Sequence, residues 1–521
     1  MATELNLILS PSQASSADAI KRAVFSKLKG QSSQFNDFRI IRKSIDARGG
    51  KVRINLGVMV YGKNESIVDE FPSFNYKPVN AAPEVIIVGS GPAGLFAALR
   101  LIELGLKPII FERGQDISNR KRDIALLNRN VVTNFESNYA FGEGGAGTFS
   151  DGKLFTRSRK RGDINRILRI FHQHGAQDEI LFESHPHIGS NVLPRVIMAM
   201  RKTIEHFGGI FNFSSRVDSL IVKNGKAIGV QLSSGISHTA GAVVLATGHS
   251  ARDIYSMLIN QNIALETKPF AMGVRVEHPQ ALIDSIQYHG IERGDFLPAA
   301  TYKLVQQVEG RGVYSFCMCP GGYIVPALTG EGQVVVNGMS PSFRNSKWAN
   351  SGIVVEVKLS DIEEFSSHGP LAGLEFQKHI EGLAYANSNG VGVVAPAQRL
   401  SDFVKGVTSN ALPSSSYNPG LVSSPLHEWL PNWITRSLQQ GFAHFDKKMR
   451  GFITSEALIV GVESRTSAPV RIPRNPDTLE HIGVKGLFPS GEGSGYAGGI
   501  MSSAIDGERS AEAVAQYLKG G

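Results

Sequence analysis

Three glycines follow a short apolar stretch, and their spacing is that of a phosphate-binding turn. Residues 84–114 read EVIIVGSGPAGLFAALRLIELGLKPIIFERG and contain Gly89, Gly91 and Gly94 in a G-x-G-x-x-G pattern. In this pattern the first glycine turns tightly, the second lets the backbone approach a pyrophosphate, and the third lets a helix pack close to a strand. The pattern predicts that this segment binds the ADP half of a dinucleotide.

The elements around the glycines support that prediction. Residues 85–88 are apolar and predict a buried strand, and the helix after the glycines points its N-terminus at the phosphates. Residues 107–111 predict a second strand, and Glu112 ends it where an acid binds the ribose hydroxyls. A glycine turn in an ordinary α/β sheet explains the glycines but not the position of Glu112.

Two later segments narrow the choice of dinucleotide. Residues 210–248 alternate like three short strands, with turns at 223–225 and 233–235, and end in the apolar motif V-V-L-A-T-G. A meander followed by this motif resembles the part of glutathione-reductase-type flavoproteins that returns the chain to the dinucleotide site. Residues 486–514 read as a strand, a glycine-rich turn and a terminal helix.

The turn in this last segment carries a third signature. In the flavoproteins that the chain resembles, such a strand ends in Gly-Asp or Gly-Glu, whose carboxylate holds a ribityl hydroxyl. This chain has Gly491 and Glu492 there, and Gly498, Gly499 and Ile500 start the helix whose N-terminus points at the cofactor. The resemblance implies FAD, rather than NAD, as the tightly held cofactor.

A glycine-rich loop, FGEGGAGTFSDGKLFTRSRK at residues 141–160, is the predicted wall beside the isoalloxazine ring. Its backbone N–H groups are donors for flavin or phosphate. Lys153 is a candidate catalytic residue because a cation near flavin N1 stabilises the reduced anion, and the alternative is an ordinary surface lysine. The predicted cofactor-binding residues are Gly89, Gly91, Pro92, Ala93, Gly94, Glu112, Arg113, Gly144, Gly145, Gly147, Thr148, Ser150, Asp151, Val217, Thr247, Gly248, Gly491, Glu492, Gly498, Gly499 and Ile500.

Further motifs extend the resemblance over most of the chain. With SIDAR, ATGHSARD, CMCPGG and GVESRTSAPVRIPR, the loop at 141–160 resembles bacterial proteins described as NAD(FAD)-utilising or FAD-dependent dehydrogenases. The resemblance implies an FAD-containing oxidoreductase with the glutathione-reductase-type fold and an unassigned small-molecule substrate. The sequence contains one complete G-x-G-x-x-G unit, whereas two-dinucleotide reductases carry a second for NAD(P)H. Transient hydride donation by NAD(P)H stays open.

The order of the signatures predicts the architecture. We expect an α/β fold in which a discontinuous Rossmann-type FAD-binding domain holds an inserted α+β substrate or cap domain, preceded by a small N-terminal α+β domain. A ligand site is expected at the seam between the FAD-binding and inserted domains. The predicted domains are residues 1–80, 81–265, 266–449 and 450–521.

Composition limits the classes of function. The 521 residues are too many for one compact core, and 54 Lys and Arg against 46 Asp and Glu permit anionic ligands without requiring nucleic acid. Residues 1–80 contain 12 Lys and Arg against 7 Asp and Glu, which favours a solvated basic face over a nucleic-acid surface. The N-terminus does not match a secretory signal and no apolar run approaches about 20 residues, so a cytoplasmic protein is expected. The sequence does not predict an oligomeric state.

Several polar residues are candidates for chemistry, each with a simpler explanation. Arg465 with Glu463 would orient an acidic substrate, or form a structural ion pair. Cys317 and Cys319 are the two cysteines of the sequence, which excludes a disulfide framework and an all-cysteine zinc site. On a regular strand a C-x-C motif places both thiols on one face, and packing is favoured over redox chemistry. Candidate proton donors, each more simply structural or solvated, are His185, His187, His249 and His278.

Three hypotheses of function follow. The first is an FAD-dependent oxidoreductase in which a hydride, or its equivalent, passes between a small substrate and flavin N5. The second is a flavoprotein that modifies tRNA, which a weaker resemblance and the basic N-terminal domain suggest. The third makes FAD a structural or redox-sensing ligand.

A local basic cluster could contact a phosphate or an acidic partner, but a solvated loop is the favoured explanation. The cluster consists of Arg157, Arg159, Lys160 and Arg161.

Overall fold

The protein is described by a computed structural model, which covers residues 2–28, 35–63, 65, 73–155 and 162–520. A five-stranded parallel sheet forms the central part of the fold. All of its neighbouring strands pair in parallel, and their order is Leu487–Pro489, Val243–Leu245, Glu84–Val88, Lys107–Phe111 and Ile210–Asn212.

Alternate residues of these strands enter two different cores, as the pleat of a strand requires. Val85 and Ile87 pack with helices on one face, whereas Ile86 and Val88 pack on the other face. The second face is covered by the antiparallel meander and by helix Arg252–Asn260. The meander strands are Val217–Lys223, Lys226–Leu232 and Ser237–Thr239, and the helices of the first face are Pro92–Glu103, Ile164–Gln173, Leu193–His206 and Ile500–Gly520.

The inserted domain is built on a mixed seven-stranded sheet. Its strand order is Val305–Val308, Arg311–Cys319, Trp348–Val357, Phe270–Pro279, Leu458–Glu463, Ala395–Arg399 and Leu421–Ser423. A two-stranded sheet, Tyr323–Pro326 with Val336–Met339, lies beside it. Its helices are Gln280–Gln287, Ala372–Ala386, Leu400–Lys405, Leu426–Trp429 and Asn432–Lys448.

A short antiparallel ribbon joins the two domains. Glu266–Thr267, where the chain leaves the parallel-sheet domain, pairs with Val470–Arg471, where the chain returns. The chain therefore re-enters the parallel-sheet domain later than residue 450, which is the boundary that the sequence predicted. Strand Leu458–Glu463 is the cause, because it pairs with Phe270–Pro279 in the seven-stranded sheet.

The N-terminal domain is a three-stranded antiparallel sheet with two helices. Ser16 caps the longer helix by accepting a hydrogen bond from the backbone N–H of Ala19. The apolar residues of this sheet and of the inserted domain belong to one continuous core. The strands are Thr3–Leu9, Arg53–Gly62 and Phe35–Asp46, and the helices are Pro11–Ala14 and Ala17–Lys27.

One predicted run of strands differs in the structure. Residues 210–248 do not begin with the meander, because Ile210–Asn212 belongs to the parallel sheet and the meander starts at Val217. Both pieces are short and alternate similarly, so periodicity alone does not separate them.

No helix among the described residues is long and apolar enough to cross a membrane. The remaining helical segments are Ile117–Asn128, Gly145–Gly147, Asp178–Leu181 and Leu359–Leu371.

Candidate FAD site

A cavity of about 360 Å³ lies where the parallel sheet meets the inserted domain. Val88, Phe111 and Ala246 bring the carboxyl ends of three parallel strands to it, which is where α/β sheets bind ligands. From the inserted-domain side, Cys317 and Asn337 complete the wall. Ligand-binding cavities in proteins commonly have volumes of roughly 300 to 1,000 Å³.

Two glycines of the predicted turn are required by close backbone packing. Gly89 has φ +99°, and a Cβ there would lie 2.5 Å from the carbonyl oxygen of Ala246. A Cβ on Gly94 would lie 2.0 Å from the carbonyl oxygen of Gly89, which shows how closely helix Pro92–Glu103 approaches the strand. The tight turn and the close helix packing therefore have the geometry that the spacing predicted.

Other glycines leave open space along the cavity wall. Gly248, Gly498 and Gly499 line the cavity, and a Cβ on any of them would meet no atom within 4 Å. Gly91 also lines it, with its nearest such contact at 3.8 Å. Side chains at these positions would project into the space that a cofactor needs, so the glycine-walled cavity fits a dinucleotide.

Glu112 is buried and lines the cavity beside the turn. Its carboxylate accepts hydrogen bonds from the backbone N–H and hydroxyl of Ser90, and from the backbone N–H groups of Gly114 and Gly142. The four distances lie between 2.8 and 3.0 Å. Besides the predicted contact with ribose, Glu112 thus holds the phosphate-binding turn and the glycine-rich loop together.

Arg113 also lines the cavity, in a fixed position. Its guanidinium donates two hydrogen bonds to Glu136, at 2.8 and 3.1 Å, and one to Asp253 at 2.9 Å. It lies 4.1 Å above the ring centre of Phe141, which itself lines the cavity. Arg113 therefore acts as a structural clamp on this end of the wall.

The glycine-rich loop is divided between the wall and the support behind it. Gly145, Gly147 and Ser150 line the main cavity, as do the predicted Pro92, Ala93, Val217, Thr247, Glu492 and Ile500. Gly94, Gly144, Thr148, Asp151 and Gly491 do not line it. Thr148 is fully buried and donates a hydrogen bond to the carbonyl of Glu143 at 2.8 Å, so it supports the loop.

Arg120 is a supporting residue that the sequence did not reveal. It is fully buried and donates hydrogen bonds of 2.7 to 3.2 Å to four backbone carbonyls of the loop, those of Asn138, Tyr139, Gly142 and Glu143. Burial lowers the pKa of Arg120 to about 10. A lone arginine in a polar helix carries no sequence signal for this role, because its acceptors are main-chain groups.

Lys153 lines the cavity at the end nearer the inserted domain. Its Nζ is 3.1 Å from Oδ2 of Asp151, which also accepts a hydrogen bond of 2.6 Å from Arg344. Burial opposes the charge of Asp151, but Lys153 and Arg344 lower the pKa of Asp151 to about 2. Asp151 is thus a carboxylate that holds Lys153 in place, and the surface-lysine alternative does not fit the cavity position of Lys153.

Arg465 lines the cavity, whereas Glu463 does not. Arg465 is paired with the fully buried Glu381, at 3.1 Å, and Glu463 with Arg275, at 2.7 Å. The predicted Arg465–Glu463 pair is therefore not formed. Glu463 lies inside the seven-stranded sheet with its carboxylate toward Arg275 of the neighbouring strand, which sequence proximity could not indicate.

Glu381 receives two arginines. Arg252 donates to it at 2.7 and 2.9 Å, in addition to Arg465. Burial opposes the charge of Glu381, but Arg252 and Arg465 lower the pKa of this carboxyl from 4.5 to about 2. This cluster connects the parallel-sheet domain, through Arg252, to helix Ala372–Ala386 of the inserted domain.

Among the four candidate histidines, His249 lines the cavity. Its Nε2 is 3.0 Å from the carbonyl oxygen of Arg465, and its Nδ1 is 3.6 Å from Oε1 of Glu492. His278 is fully buried, with Nε2 2.8 Å from the carbonyl oxygen of Phe452, and burial lowers its pKa to about 4. His185 and His187 do not line the cavity, and Nε2 of His187 contacts the carbonyl of Ser342.

The predicted Gly491–Glu492 turn is held by a buried ion pair. Asp506, on helix Ile500–Gly520, accepts hydrogen bonds from the guanidinium of Arg474 at 2.6 and 3.0 Å and from the backbone N–H of Gly491 at 2.8 Å. Arg474 also donates to the carbonyl of Pro489. The pair locks the end of the last parallel strand to the helix whose N-terminus lines the cavity.

Cys317 and Cys319 occupy unlike positions. Cys317 lines the cavity and is half-buried, whereas Cys319 is fully buried. The regular strand that this prediction assumes is interrupted here, because the register shifts between Phe316 and Cys319 and Cys317 has φ +46°. In the described residues no group of three or more His, Cys, Asp or Glu is placed to hold a metal ion. The basic cluster of Arg157, Arg159, Lys160 and Arg161 lies outside the described residues.

The parallel sheet, the glycine turn and the glycine-walled cavity define a Rossmann-type dinucleotide-binding protein. Residues 84–304 match the family of glucose inhibited division protein A, and residues 269–466 match the family described as FAD-dependent protein, C-terminal domain-like. Residues 1–61 match a domain of unknown function, DUF8436.

An uncharacterized protein of Clostridium beijerinckii (strain ATCC 51743 / NCIMB 8052) is 41% identical over 516 residues, which cover 95% of each chain. The chain belongs to the same family of FAD-dependent flavoproteins as this relative, and FAD is its cofactor. Two solved structures are more distant. The chain spans 58% of tetracycline destructase Tet(51) and 64% of GidA from Aquifex aeolicus, with 53% and 84% of this chain covered, identities of 11% and 12%, and TM-scores of 0.28 and 0.35.

Proposed function

We propose that the protein is an FAD-dependent oxidoreductase that moves a hydride, or its equivalent, between a small substrate and flavin N5. The observation that carries this proposal is that one continuous cavity extends from the dinucleotide turn to the inserted domain. The ADP-binding glycines lie at one end, and Lys153, His249 and Cys317 bring titratable groups to the same cavity. When bound, FAD supplies the hydride chemistry, and the residues of the chain orient the substrate and move protons.

His249 is the proposed proton acceptor. Because Nε2 donates to the carbonyl of Arg465, the lone pair of the neutral ring is on Nδ1, near Glu492. Burial lowers the pKa of His249 below its ordinary value, although Glu492 opposes this effect. At neutral pH the ring is therefore uncharged, and Nδ1 is available to take a proton from a substrate that is being oxidised.

Lys153 is the proposed cationic group of the site. Burial disfavours its charge, but Asp151 raises the pKa of Lys153 above its ordinary value, so the side chain stays charged throughout the working pH range. A fixed positive charge in this wall would favour an anionic substrate and the reduced flavin anion. Arg465 is hydrogen-bonded to Glu381, Thr329 and Gln333, which makes it a positioning residue for this wall.

The test is to record the visible spectrum of the purified full-length protein and then to add NADH and NADPH separately under anaerobic conditions. Bleaching of the flavin by either coenzyme would show a nicotinamide-fed reductase. A flavin that neither coenzyme reduces would direct the search to small oxidisable substrates, with His249→Asn expected to change the pH profile of turnover. A protein that neither contains FAD nor takes it up would overturn the proposal.

A second candidate is a flavoprotein that modifies tRNA. The match of residues 84–304 to the glucose inhibited division protein A family favours it, and the excess of basic residues in 1–80 is compatible with it, although a solvated face explains that excess more simply. Binding of tRNA that weakens steeply as salt rises would support this candidate, because phosphate contacts release counterions. Lack of tRNA binding at low salt would eliminate it.

A further inference from the structure

Cys317 lies at a local irregularity of the strand that reaches the cavity from the inserted domain. Its φ of +46° is uncommon for a residue with a side chain. The pairing of strand Arg311–Cys319 with its neighbour shifts register between Phe316 and Cys319. Two consecutive residues at this irregularity, Phe316 and Cys317, both line the cavity.

Two cations face the thiol from different elements. Nζ of Lys153, on the glycine-rich loop segment, is 4.0 Å from the Cys317 sulfur. Arg275, on the central strand Phe270–Pro279, is fully buried and lies 3.5 Å from the carbonyl oxygen of Cys317. Both cations favour the ionised form of the thiol.

The acidic neighbours are already paired. Asp151 is bound by Lys153 and Arg344, and Glu463 is bound by Arg275. The thiol of Cys319 is a further titratable neighbour, and its Sγ lies 3.3 Å from the carbonyl oxygen of Cys317.

The two thiols differ in ionisation. Hydrogen bonding from Cys319, followed by the charges of Lys153 and Arg275, lowers the pKa of Cys317 well below its ordinary value, although burial opposes this. The same hydrogen bond, together with burial, raises the pKa of Cys319. The thiol on the cavity side is therefore the one whose ionisation is favoured, and the buried thiol is the one whose neutral form is favoured.

We propose that Cys317 is a nucleophile of the FAD cavity, with Lys153 as its counter-ion, and that its sulfur adds to the electron-poor carbon of a conjugated double bond in a substrate held beside the cofactor. In this step an S–C bond forms while the π pair of the double bond shifts away and takes up a proton. This inference rests on the proposed function only for the presence of FAD in the same cavity. The position of the thiol and its neighbouring charges do not depend on the cofactor.

The test is alkylation of the full-length protein by iodoacetamide between pH 5 and 9, with mass spectrometry to locate the adduct. In this reaction the sulfur forms an S–C bond, the C–I bond breaks, and iodide leaves with the bonding pair. We expect labelling at Cys317 and not at Cys319. The rate should fall at a lower pH than for an ordinary thiol, which loses about tenfold in rate per pH unit below its pKa.

Variants separate the thiolate from a merely accessible cysteine. Cys317→Ser should abolish the labelling, and Lys153→Met should slow it at pH 6 and shift the profile to higher pH. Lys202→Met, an exposed lysine far along helix Leu193–His206, serves as the matched control and should leave the profile unchanged. If Lys153→Met does not fold, Lys153→Gln, which keeps a polar side chain without the charge, should give the same upward shift.

FAD supplies an independent arm of the experiment. Alkylation of Cys317 should persist with saturating FAD, because the proposed reaction takes place beside the bound cofactor. Labelling of Cys319, an ordinary pH profile at Cys317, or complete protection of Cys317 by bound FAD would each overturn the inference. Failure of the protein to bind FAD would count against the proposed function. The pH profile of alkylation would then still show whether Cys317 is a nucleophilic thiolate.

Discussion

Glycines at this site do two different jobs, and their surroundings distinguish them. Gly89 and Gly94 are packed against backbone, so a side chain would force the turn apart. Gly498 faces open cavity, so a side chain there would occupy cofactor space without disturbing the protein, whereas a side chain on Gly499 would also strain the backbone at φ +102°. Stability and FAD affinity are therefore expected to respond to different glycine substitutions.

Gly94→Ala should destabilise the protein by about 1 to 3 kcal/mol, since the new Cβ would lie 2.0 Å from the carbonyl oxygen of Gly89. The free energy of unfolding of the FAD-free protein, from denaturant titration, measures this. Gly382→Ala is the control, because its Cβ would meet nothing closer than 4.0 Å within helix Ala372–Ala386, and it should be neutral or stabilising. Equal effects of the two changes would contradict the packing argument.

Gly498→Val should weaken FAD binding at least about tenfold, which corresponds to about 1.4 kcal/mol, while leaving the melting temperature of the FAD-free protein nearly unchanged. The physical reason is that the side chain enters the cavity where no protein atom lies within 4 Å. Gly498→Ala should show a smaller loss in the same direction. Fluorescence titration with FAD measures both, and unaltered affinity in the valine variant would place the cofactor elsewhere.

Glu381 predicts a pH dependence of stability. Its pKa is about 2 in the folded protein and about 4.5 when exposed, so the carboxylate stabilises the fold above pH 4.5 and loses that effect as pH falls toward 2. Glu381→Gln should lower the free energy of unfolding at pH 7 by on the order of 3 kcal/mol, and the difference from wild type should shrink below pH 4.5. Glu375→Gln, in a partly exposed pair with Lys378 on the same helix, should change little. A difference that persists at pH 2 to 3 would show that charge is not the cause.

At the scale of elements, the cofactor end of the parallel-sheet domain depends on two helices in close contact. Helix Pro92–Glu103 and helix Ile500–Gly520 cross where a Cβ on Gly507 would lie 2.1 Å from the carbonyl oxygen of Ala93. Both helices present their N-terminal residues to the cavity. Their spacing therefore sets the width of the wall around the cofactor.

Gly507→Ala should separate these helices and lower both stability and FAD affinity, unlike Gly498→Val, which affects affinity alone. The expected loss of stability is about 1 to 3 kcal/mol. Gly520→Ala, at the open end of the same helix with no atom within 4 Å of the new Cβ, is the control. Denaturation and FAD titration of the three proteins check the expectation, and a fully stable Gly507→Ala protein would refute it.

Local signals made some of these elements predictable. The strand at Glu84–Val88, the helix after Gly91 and the strand at Lys107–Phe111 lie within 30 residues and are fixed by apolar periodicity and glycine spacing. Strand Leu458–Glu463 was different, because a short apolar run fits either sheet and only its partner Phe270–Pro279 decides. A helix, strand or turn could therefore be predicted from the sequence where the residues that determine it lie close together in the chain.

Contacts between residues that lie far apart in the sequence could not be predicted. Arg465 binds Glu381, which is 84 residues away, and no spacing rule connects them. The turn of Cys317 toward the cavity depends on a register shift with the neighbouring strand, and Arg120 acts on main-chain carbonyls. The sequence thus indicated the segments that bind the cofactor. The side chains that surround the candidate catalytic groups could be identified only from the tertiary structure, because their partners lie far apart in the chain.

For the whole molecule, FAD is expected to stabilise one part of the fold selectively. A ligand at 100 times its dissociation constant adds about 2.7 kcal/mol to stability when it binds the folded state alone. Hydrogen exchange should slow in residues 88–93, 246–254 and 498–503, which border the cavity, and stay unchanged in strand Thr3–Leu9. Comparison of deuterium uptake with and without FAD tests this. Protection spread evenly over the N-terminal sheet would contradict a local site.

The ribbon of Glu266–Thr267 and Val470–Arg471 brings both ends of the inserted domain side by side. A unit whose ends meet can be exchanged for another without altering the path of the surrounding chain. The cofactor framework can therefore keep its path when the inserted unit changes. Because the N-terminal sheet shares its apolar core with that unit, an exchange would have to include the N-terminal strands as well.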